Sequence, residues 1–307
     1  MPSSKSSLIT LTNLSAKQVG TLFSKGLELK KKFNQNPIAS NHSFKGNAAL
    51  LFLEPSTRTR FSFESACTRA GLHPLLLDGR SGASLEKGES IEDTILNIEA
   101  LRPLFFVIRC NGDFNLNDIQ KKLSVPIING GWGMRGHPTQ ALLDAMTIFE
   151  KWGDLYQRQI LFVGDIKHSR VVSSHLELAK ISGYKIGFVA PKNFLPDVIP
   201  DGVQLFKNLD EGLQWADAVI ALRVQNERHD EKSDFSLADY RENYGLNNKR
   251  LMKLKPNSMV MHPGPINYGV EIESEILADV RSVILKQVEN GVFLREALIR
   301  DLMNGAL

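Results

Sequence analysis

Cysteine is scarce in this sequence, and long apolar runs are missing. The two cysteines, Cys67 and Cys110, are too few for a disulfide framework and do not have the spacing of a zinc or redox site. No apolar run approaches the roughly 20 residues that span a bilayer. The opening stretch MPSSKSSLITLTNL lacks the apolar core of a secretory signal. We therefore expect a cytoplasmic protein with no membrane association and no metal site.

The chain also has no large excess of charge of either sign. The 307 residues include 37 lysines and arginines against 34 acidic residues, for a net charge of +3. This scattered excess is too small to predict nucleic-acid binding. Hydrophobic residues make up 42% of the chain and charged residues 23%, as in ordinary globular proteins. The length allows one large domain or two ordinary ones.

Strand-like and helix-like patterns alternate along the chain. Continuous apolar runs such as AALLFLE and QILFVGD are typical of strands that are covered on both faces of a parallel sheet. Amphipathic stretches lie between them, the first of which opens on a capping box at Ser15–Gln18. The sequence therefore predicts an α/β fold with two doubly wound parallel-sheet domains.

The predicted boundary lies where the helix at residues 137–152 ends and a second strand–helix series begins. We expect this helix to join a first domain, 1–149, to a second domain, 150–287. A closing helix, 288–307, is expected to return to the first domain.

Polar side chains gather where the predicted strands end. Four strands lead to an arginine, and two more lead to histidines and an amide. The residues in question are Arg58, Arg109, Arg170, Arg223, His137, Gln140 and His262. Since the carboxyl ends of parallel strands are where ligands collect, converging arginines predict a substrate rich in phosphate and carboxylate.

The stretch STRTR begins at Ser56, at the mouth of a predicted helix. Backbone N–H groups and the helix dipole attract an anion at this position, and Arg58 can bind two phosphate oxygens. Alternatively, Ser56 or Thr57 only caps the helix. The stretch is not a Walker A loop. GWGMRG, at 131–136, fits G-x-G-x-x-G, but no acidic residue follows at the spacing that a nicotinamide site requires.

The chain resembles the aspartate carbamoyltransferase family over nearly its whole length. The motifs that carry the resemblance are STRTRFSFESA, HPTQALLD, GDIKHSRV, LRVQNER and HPGPINYGVEI. The first motif is shared with ornithine carbamoyltransferases. The loop GASLEKGES, the segment LRVQNER and HPGP favour the aspartate branch.

The resemblance implies transfer of the carbamoyl group of carbamoyl phosphate to L-aspartate, an early step of pyrimidine synthesis, without a cofactor. The first domain would then bind carbamoyl phosphate and the second aspartate. The implied carbamoyl-phosphate site comprises Ser56, Thr57, Arg58, Thr59, Arg109, His137, Gln140 and the backbone of Pro263 and Gly264. Arg58, Thr59, Arg109 and His137 are the implied catalytic residues. The implied aspartate site comprises Lys87, Arg170, Arg223 and Gln225.

The family also implies a homotrimer with shared active sites, in which Ser84 and Lys87 reach a neighbouring subunit. Regulatory or dihydroorotase chains are possible further partners. Trp132 and Tyr268 depart from the usual family pattern next to the site. Two alternatives remain, which are a carbamoyltransferase for another amine and a catalytically silent assembly subunit.

Overall fold

The computed structural model describes residues 7–37, 44–79, 84–224 and 236–306, without the side chains of residues 84 and 85. The chain divides into two compact units. Unit 1 comprises Met1–Met146, Ser173–Leu178 and Val288–Leu307, and unit 2 comprises Thr147–Val172 and Ala179–Gln287. Among the described helices, none is both long and apolar enough to cross a membrane.

Unit 1 is built on a parallel sheet with the strand order β2-β1-β3-β4. Its strands are β1 (Asn47–Phe52), β2 (His73–Asp78), β3 (Phe106–Cys110) and β4 (Ile127–Trp132). Its helices are α1 (Ala16–Gln35), α2 (Thr57–Arg69), α3 (Ile91–Glu99), α4 (Leu116–Lys122), α5 (Pro138–Trp152), which continues into unit 2, and most of α10 (Ile284–Met303). The predicted capping box is confirmed, because Ser15 and Gln18 bond reciprocally at the start of α1.

The central strands of this sheet are buried, and its two edges differ. β1 and β3 consist almost entirely of buried apolar residues, whereas β2 is only partly covered. At the opposite edge, Leu8 pairs with β4 in parallel, accepting a bond from the Asn129 N–H at 2.9 Å. The N-terminal segment therefore covers the edge that β4 would otherwise expose.

Helix α10 returns to unit 1 through both apolar and charged contacts. Phe293 packs against Phe33 of α1, with ring centroids 5.7 Å apart. Glu296 is buried and binds Arg69 of α2 at 2.6 Å. The helix begins at Ile284, four residues before the predicted start, because Ile284 is held in the apolar core of unit 2.

Unit 2 contains a parallel sheet with the strand order β7-β6-β5-β8-β9. Its strands are β5 (Gln159–Val163), β6 (Lys185–Val189), β7 (Gln204–Leu205), β8 (Ala218–Ala221) and β9 (Met259–Met261). Its further helices are α6 (Arg170–Ser182), of which residues 173–178 group with unit 1, α7 (Leu209–Trp215), α8 (Leu237–Tyr244) and α9 (Asn248–Leu251). Short 3-10 turns cover Ser84–Lys87 in unit 1, and Lys192–Phe194 and Ser274–Ala278 in unit 2. The predicted α/β class with two parallel sheets is confirmed.

Candidate functional site

The carboxyl ends of β1, β3 and β4 lie side by side in the sheet of unit 1. Phe52, the last residue of β1, pairs with Arg109 near the end of β3. The strand order changes direction at β1, since β2 lies on one side of it and β3 on the other. Such a switch point opens the crevice in which ligands of doubly wound sheets bind. Ser56 follows β1 and His137 follows β4, so the fold brings these predicted residues to one edge.

Helix α2 starts without a side-chain cap. Ser56 is the N-cap residue, with extended backbone angles of φ −162° and ψ 102°, but its side chain makes no capping hydrogen bond. The first turn also contains no acidic residue. The capping alternative for Ser56 is therefore wrong for its hydroxyl, and the positive end of the helix dipole is not neutralised locally. Thr57 and Arg58 are exposed in the same turn.

Behind this turn, Thr59 and His137 meet in the interior. The Oγ1 of Thr59 lies 3.4 Å from Nε2 of His137, and both residues are buried. The His137 backbone N–H donates to Oγ of Ser174 at 2.9 Å, which fixes the start of α5. Arg109 is mostly covered, and its Nε lies 3.9 Å from a carboxylate oxygen of Glu54. The arrangement offers hydroxyl, imidazole and guanidinium groups at one edge of the sheet.

A buried polar network continues below His137. Gln140 donates from Nε2 to Oδ1 of Asp144 at 2.9 Å, one turn further along α5. Arg295 of α10 donates to Ser62 at 2.6 Å and to Thr139 at 3.2 Å. Burial lowers the pKa of Arg295 to about 9, with the charge of Asp144 acting in the opposite direction. The sequence did not single out Asp144 or Arg295, because each is an ordinary charged residue within a helix pattern.

The carboxyl ends of β5, β8 and β9 form the corresponding edge in unit 2. Arg170 is the first residue of α6, after β5, and Ser169 caps that helix by accepting the Val172 N–H. Arg223 follows β8 by two residues. Because these strands are neighbours, the fold places both arginines at one sheet edge, where forked guanidiniums suit carboxylates.

The segment after β9 is held by side chains that sequence reasoning did not assign a role. The Gly264 N–H donates to Nδ1 of His262 at 2.7 Å, which shapes the turn carrying the backbone of Pro263. Glu271 is fully buried and accepts from the Val224 N–H at 2.8 Å. In the sequence, His262 within the motif HPGP was the signal that could have indicated this turn. Glu271 links this turn to the residue after Arg223.

For three predicted site residues, the described part of the chain shows no position at either sheet edge. Gln225 lies outside the described residues, as does the side chain of Ser84. Lys87 is exposed and is the last residue of a 3-10 turn between β2 and α3. Of the residues that depart from the family pattern, Trp132 is buried and donates from Nε1 to the Phe114 carbonyl at 2.7 Å, and Tyr268 is exposed. Trp132 therefore has a structural role in β4.

Comparisons with known proteins agree over both units. Residues 6–150 match the carbamoyl-P binding domain of aspartate/ornithine carbamoyltransferases. Residues 156–302 match the Asp/Orn binding domain of the same family. The aspartate carbamoyltransferase catalytic subunit of Campylobacter hominis is 38% identical over 306 residues, which is 99% of each chain.

Solved structures give the same result. Aspartate transcarbamoylase from Trypanosoma cruzi, in complex with N-(phosphonacetyl)-L-aspartic acid, superposes with a TM-score of 0.87 and 26% identity, covering 99% of this chain and 96% of that one. Ornithine carbamoyltransferase from Thermus thermophilus reaches a TM-score of 0.82 and 25% identity, covering 97% and 98%. Since both acceptor classes share the fold, the fold alone does not select the acceptor. On the two matched domains and the full-length relative, the chain belongs to the aspartate/ornithine carbamoyltransferase family.

Proposed function

We propose that this chain transfers the carbamoyl group of carbamoyl phosphate to the amine of L-aspartate, giving N-carbamoyl-L-aspartate and phosphate. The observation that carries the proposal is the uncapped start of α2 at Ser56, beside the buried pair Thr59 and His137. This edge offers donors for a phosphate and for a carbonyl oxygen. The catalytic subunit of Campylobacter hominis supports aspartate as the acceptor.

The phosphate half of the reaction is assigned to unit 1. Ser56, Thr57 and Arg58 bind the phosphate at the dipole of α2. Thr59, Arg109 and His137 donate to the carbonyl oxygen, which gains negative charge as the amine attacks. Each such donor is typically worth about a hundredfold to a thousandfold in rate.

The transfer needs no covalent intermediate with the protein. The C–N bond forms, the C–O bond to phosphate breaks, and the departing phosphate takes the proton that the amine gives up. Phosphate is a good leaving group, so positioning of the two substrates supplies much of the catalysis.

The acceptor half is assigned to unit 2. Arg170 and Arg223, with Gln225, bind the two carboxylates of aspartate. The carbonyls of Pro263 and Gly264 accept from the carbamoyl NH2 group, as does Gln140. Two arginines at one sheet edge repel a cationic acceptor such as ornithine, which favours the aspartate branch.

We further propose a cytoplasmic homotrimer that acts in pyrimidine biosynthesis. Both cysteines are buried and neither forms a disulfide, as in a reducing compartment. The partly covered strand β2 leaves Leu76 43% exposed, and Phe61 on α2 is 52% exposed, so unit 1 has apolar surface available for self-association. Ser84 and Lys87 would then complete the site of a neighbouring subunit. Regulatory or dihydroorotase chains are further candidate partners.

Phosphate release from carbamoyl phosphate tests the reaction, with L-aspartate or L-ornithine as the acceptor. We expect release with aspartate alone, and competition with aspartate by succinate, which keeps the two carboxylates but lacks the amine. Phosphate release with ornithine as the acceptor would assign the chain to the ornithine branch of the family. Release with neither acceptor would favour a silent assembly subunit.

Shared sites are tested by mixing two inactive variants, Lys87→Ala and His137→Ala. A mixed trimer contains at least one interface that pairs an intact His137 with an intact Lys87 from the next chain. Activity should therefore return after the variants are dissociated and reassembled together. Inactive mixed trimers of verified mass would mean that Lys87 does not serve a neighbour.

A further inference from the structure

The side chain of Gln140 is held from below by a carboxylate. Gln140 and Asp144 are separated by four positions on α5, so their side chains lie on the same face of the helix. Nε2 of Gln140 is 2.9 Å from Oδ1 of Asp144. Asp144 has no exposed surface, and Gln140 is 9% exposed. The contact is thus made inside unit 1, where water does not compete for it.

This contact determines which end of the amide faces outward. An ionised carboxylate only accepts hydrogen bonds, whereas an amide has one accepting oxygen and one donating NH2 group. With Nε2 directed at Asp144, Oε1 of Gln140 is the atom left to accept from a ligand. The reverse orientation would bring two oxygen acceptors together in the interior, which is costly.

Asp144 is in turn held by groups from two other helices. Its Oδ2 lies 3.3 Å from Nε2 of His175 on α6, and both residues are fully buried. The guanidinium of Arg295 on α10 interacts electrostatically with Asp144. The cation is itself fixed by Ser62 and Thr139. These contacts hold the carboxylate of Asp144 in one orientation.

We propose that Asp144 is a positioning residue that presents Oε1 of Gln140, rather than Nε2, to the NH2 group of the carbamoyl donor. The proposal rests on the function proposed above. It assigns Asp144 no contact with substrate. Its effect is on donor choice, because a hydrogen-bond acceptor at this position favours a carbamoyl NH2 group over a methyl group of similar size.

Acetyl phosphate provides the test. It shares the phosphate and carbonyl groups of carbamoyl phosphate but has a methyl group in place of NH2, and it would transfer an acetyl group to aspartate with release of phosphate. The quantity measured is the ratio of kcat/KM for carbamoyl phosphate to kcat/KM for acetyl phosphate. In Asp144→Asn, whose amide can also donate, Gln140 is no longer held in one orientation. We expect the ratio to fall by about tenfold to a hundredfold.

Three controls separate positioning from general damage. Gln140→Ala gives the ratio without the amide, and adding Asp144→Asn to that variant should not lower the ratio further. Glu296→Gln neutralises another buried carboxylate of unit 1, which binds Arg69 and Arg300. This control should lower stability and leave the ratio unchanged.

Folding of the variant is checked separately. Asp144→Asn leaves Arg295 buried without its counter-charge, which is the main threat to folding. The pair Asp144→Asn with Arg295→Gln removes both charges, and it should show the same fall in the ratio.

The outcomes are distinct. If the wild type does not release phosphate with aspartate, the proposed function fails, and the inference fails with it. An active wild type with an unchanged ratio in a folded Asp144 variant overturns the inference alone. Failure of both Asp144 variants to fold also overturns it, because Asp144 would then serve the fold rather than the orientation of Gln140.

Discussion

The start of α2 gives a prediction in which stability and activity respond differently to the same substitution. Ser56 is the N-cap residue of α2, but its side chain makes no capping bond. Replacing an N-cap serine by alanine usually costs about 1 kcal/mol, because a backbone N–H loses its partner. Ser56→Ala breaks no such bond. We therefore expect the free energy of unfolding to change by less than about 0.5 kcal/mol.

Activity should respond strongly to the same change. If the hydroxyl of Ser56 donates to the phosphate, its removal deletes a hydrogen bond to a charged acceptor, worth about 1.5 to 3 kcal/mol. That corresponds to about a tenfold to hundredfold loss of kcat/KM for carbamoyl phosphate. Initial rates of phosphate release at varied carbamoyl phosphate and saturating aspartate give this quantity directly.

Ser15→Ala is the matched control in the same unit. The hydroxyl of Ser15 accepts a hydrogen bond from the Gln18 N–H at 3.2 Å, and the Ser15 N–H donates to the side-chain oxygen of Gln18 at 3.0 Å. Its loss should cost about 1 kcal/mol, or about 2–4 °C in melting temperature, with kcat/KM unchanged. The reasoning is refuted if Ser56→Ala destabilises as much as Ser15→Ala and leaves kcat/KM intact.

Three further predictions concern stability and reactivity. Gly133→Ala should lower the free energy of unfolding by about 2 kcal/mol or more, because φ of Gly133 is +47° and the added Cβ would lie 2.6 Å from a backbone nitrogen. The control is Gly20→Ala in α1, where an added Cβ meets open space. Thermal unfolding should show a higher melting temperature for this control. A hydrogen bond from Arg281 lowers the pKa of Asp279 to about 2, so the carboxylate stabilises the fold above about pH 4 and loses this effect as pH falls towards 2. In urea titrations, Asp279→Asn should therefore cost at most about 1 kcal/mol at pH 7, and a stability difference that does not shrink between about pH 4 and about pH 2 would contradict this. Burial raises the pKa of the Cys67 thiol to about 12, so iodoacetamide at pH 8 should alkylate Cys67 only after denaturation, as peptide mass spectra would detect.

Much of the fold could be predicted because its strands are continuous apolar runs. Strand β4 was harder to delimit, because the apolar run VPIIN ends at Asn129 whereas the strand runs to Trp132. Two glycines hide this extension, since glycine is rare in strands. Pairing of Trp132 with Cys110 and with Gly136 stabilises it. Short elements such as α4 and β7 were missed, because a segment of seven residues or fewer has little periodicity to detect.

The candidate site also contains residues whose positions could be predicted from the sequence and residues whose roles could not. Arg109 and Arg223 could be placed from the sequence, because a parallel strand brings its C-terminal residues to a known edge of the sheet. The roles of Asp144 and His175 could not be predicted. Their pairing depends on how α6 packs against α5, and neither residue stands next to a strand end. His262 was visible within its motif, but its bond to the Gly264 N–H depends on the local turn.

The return of α10 to unit 1 has a consequence for synthesis on the ribosome. Unit 1 requires residues from 288 onwards, including Phe293 and Glu296, which bind α1 and α2. The residues of unit 2 have all been translated by Gln287. Since domains tend to fold as units during synthesis, the second unit can close first. The N-terminal half must wait with an incomplete core, so chaperones that bind nascent chains should contact unit 1 for longer than unit 2.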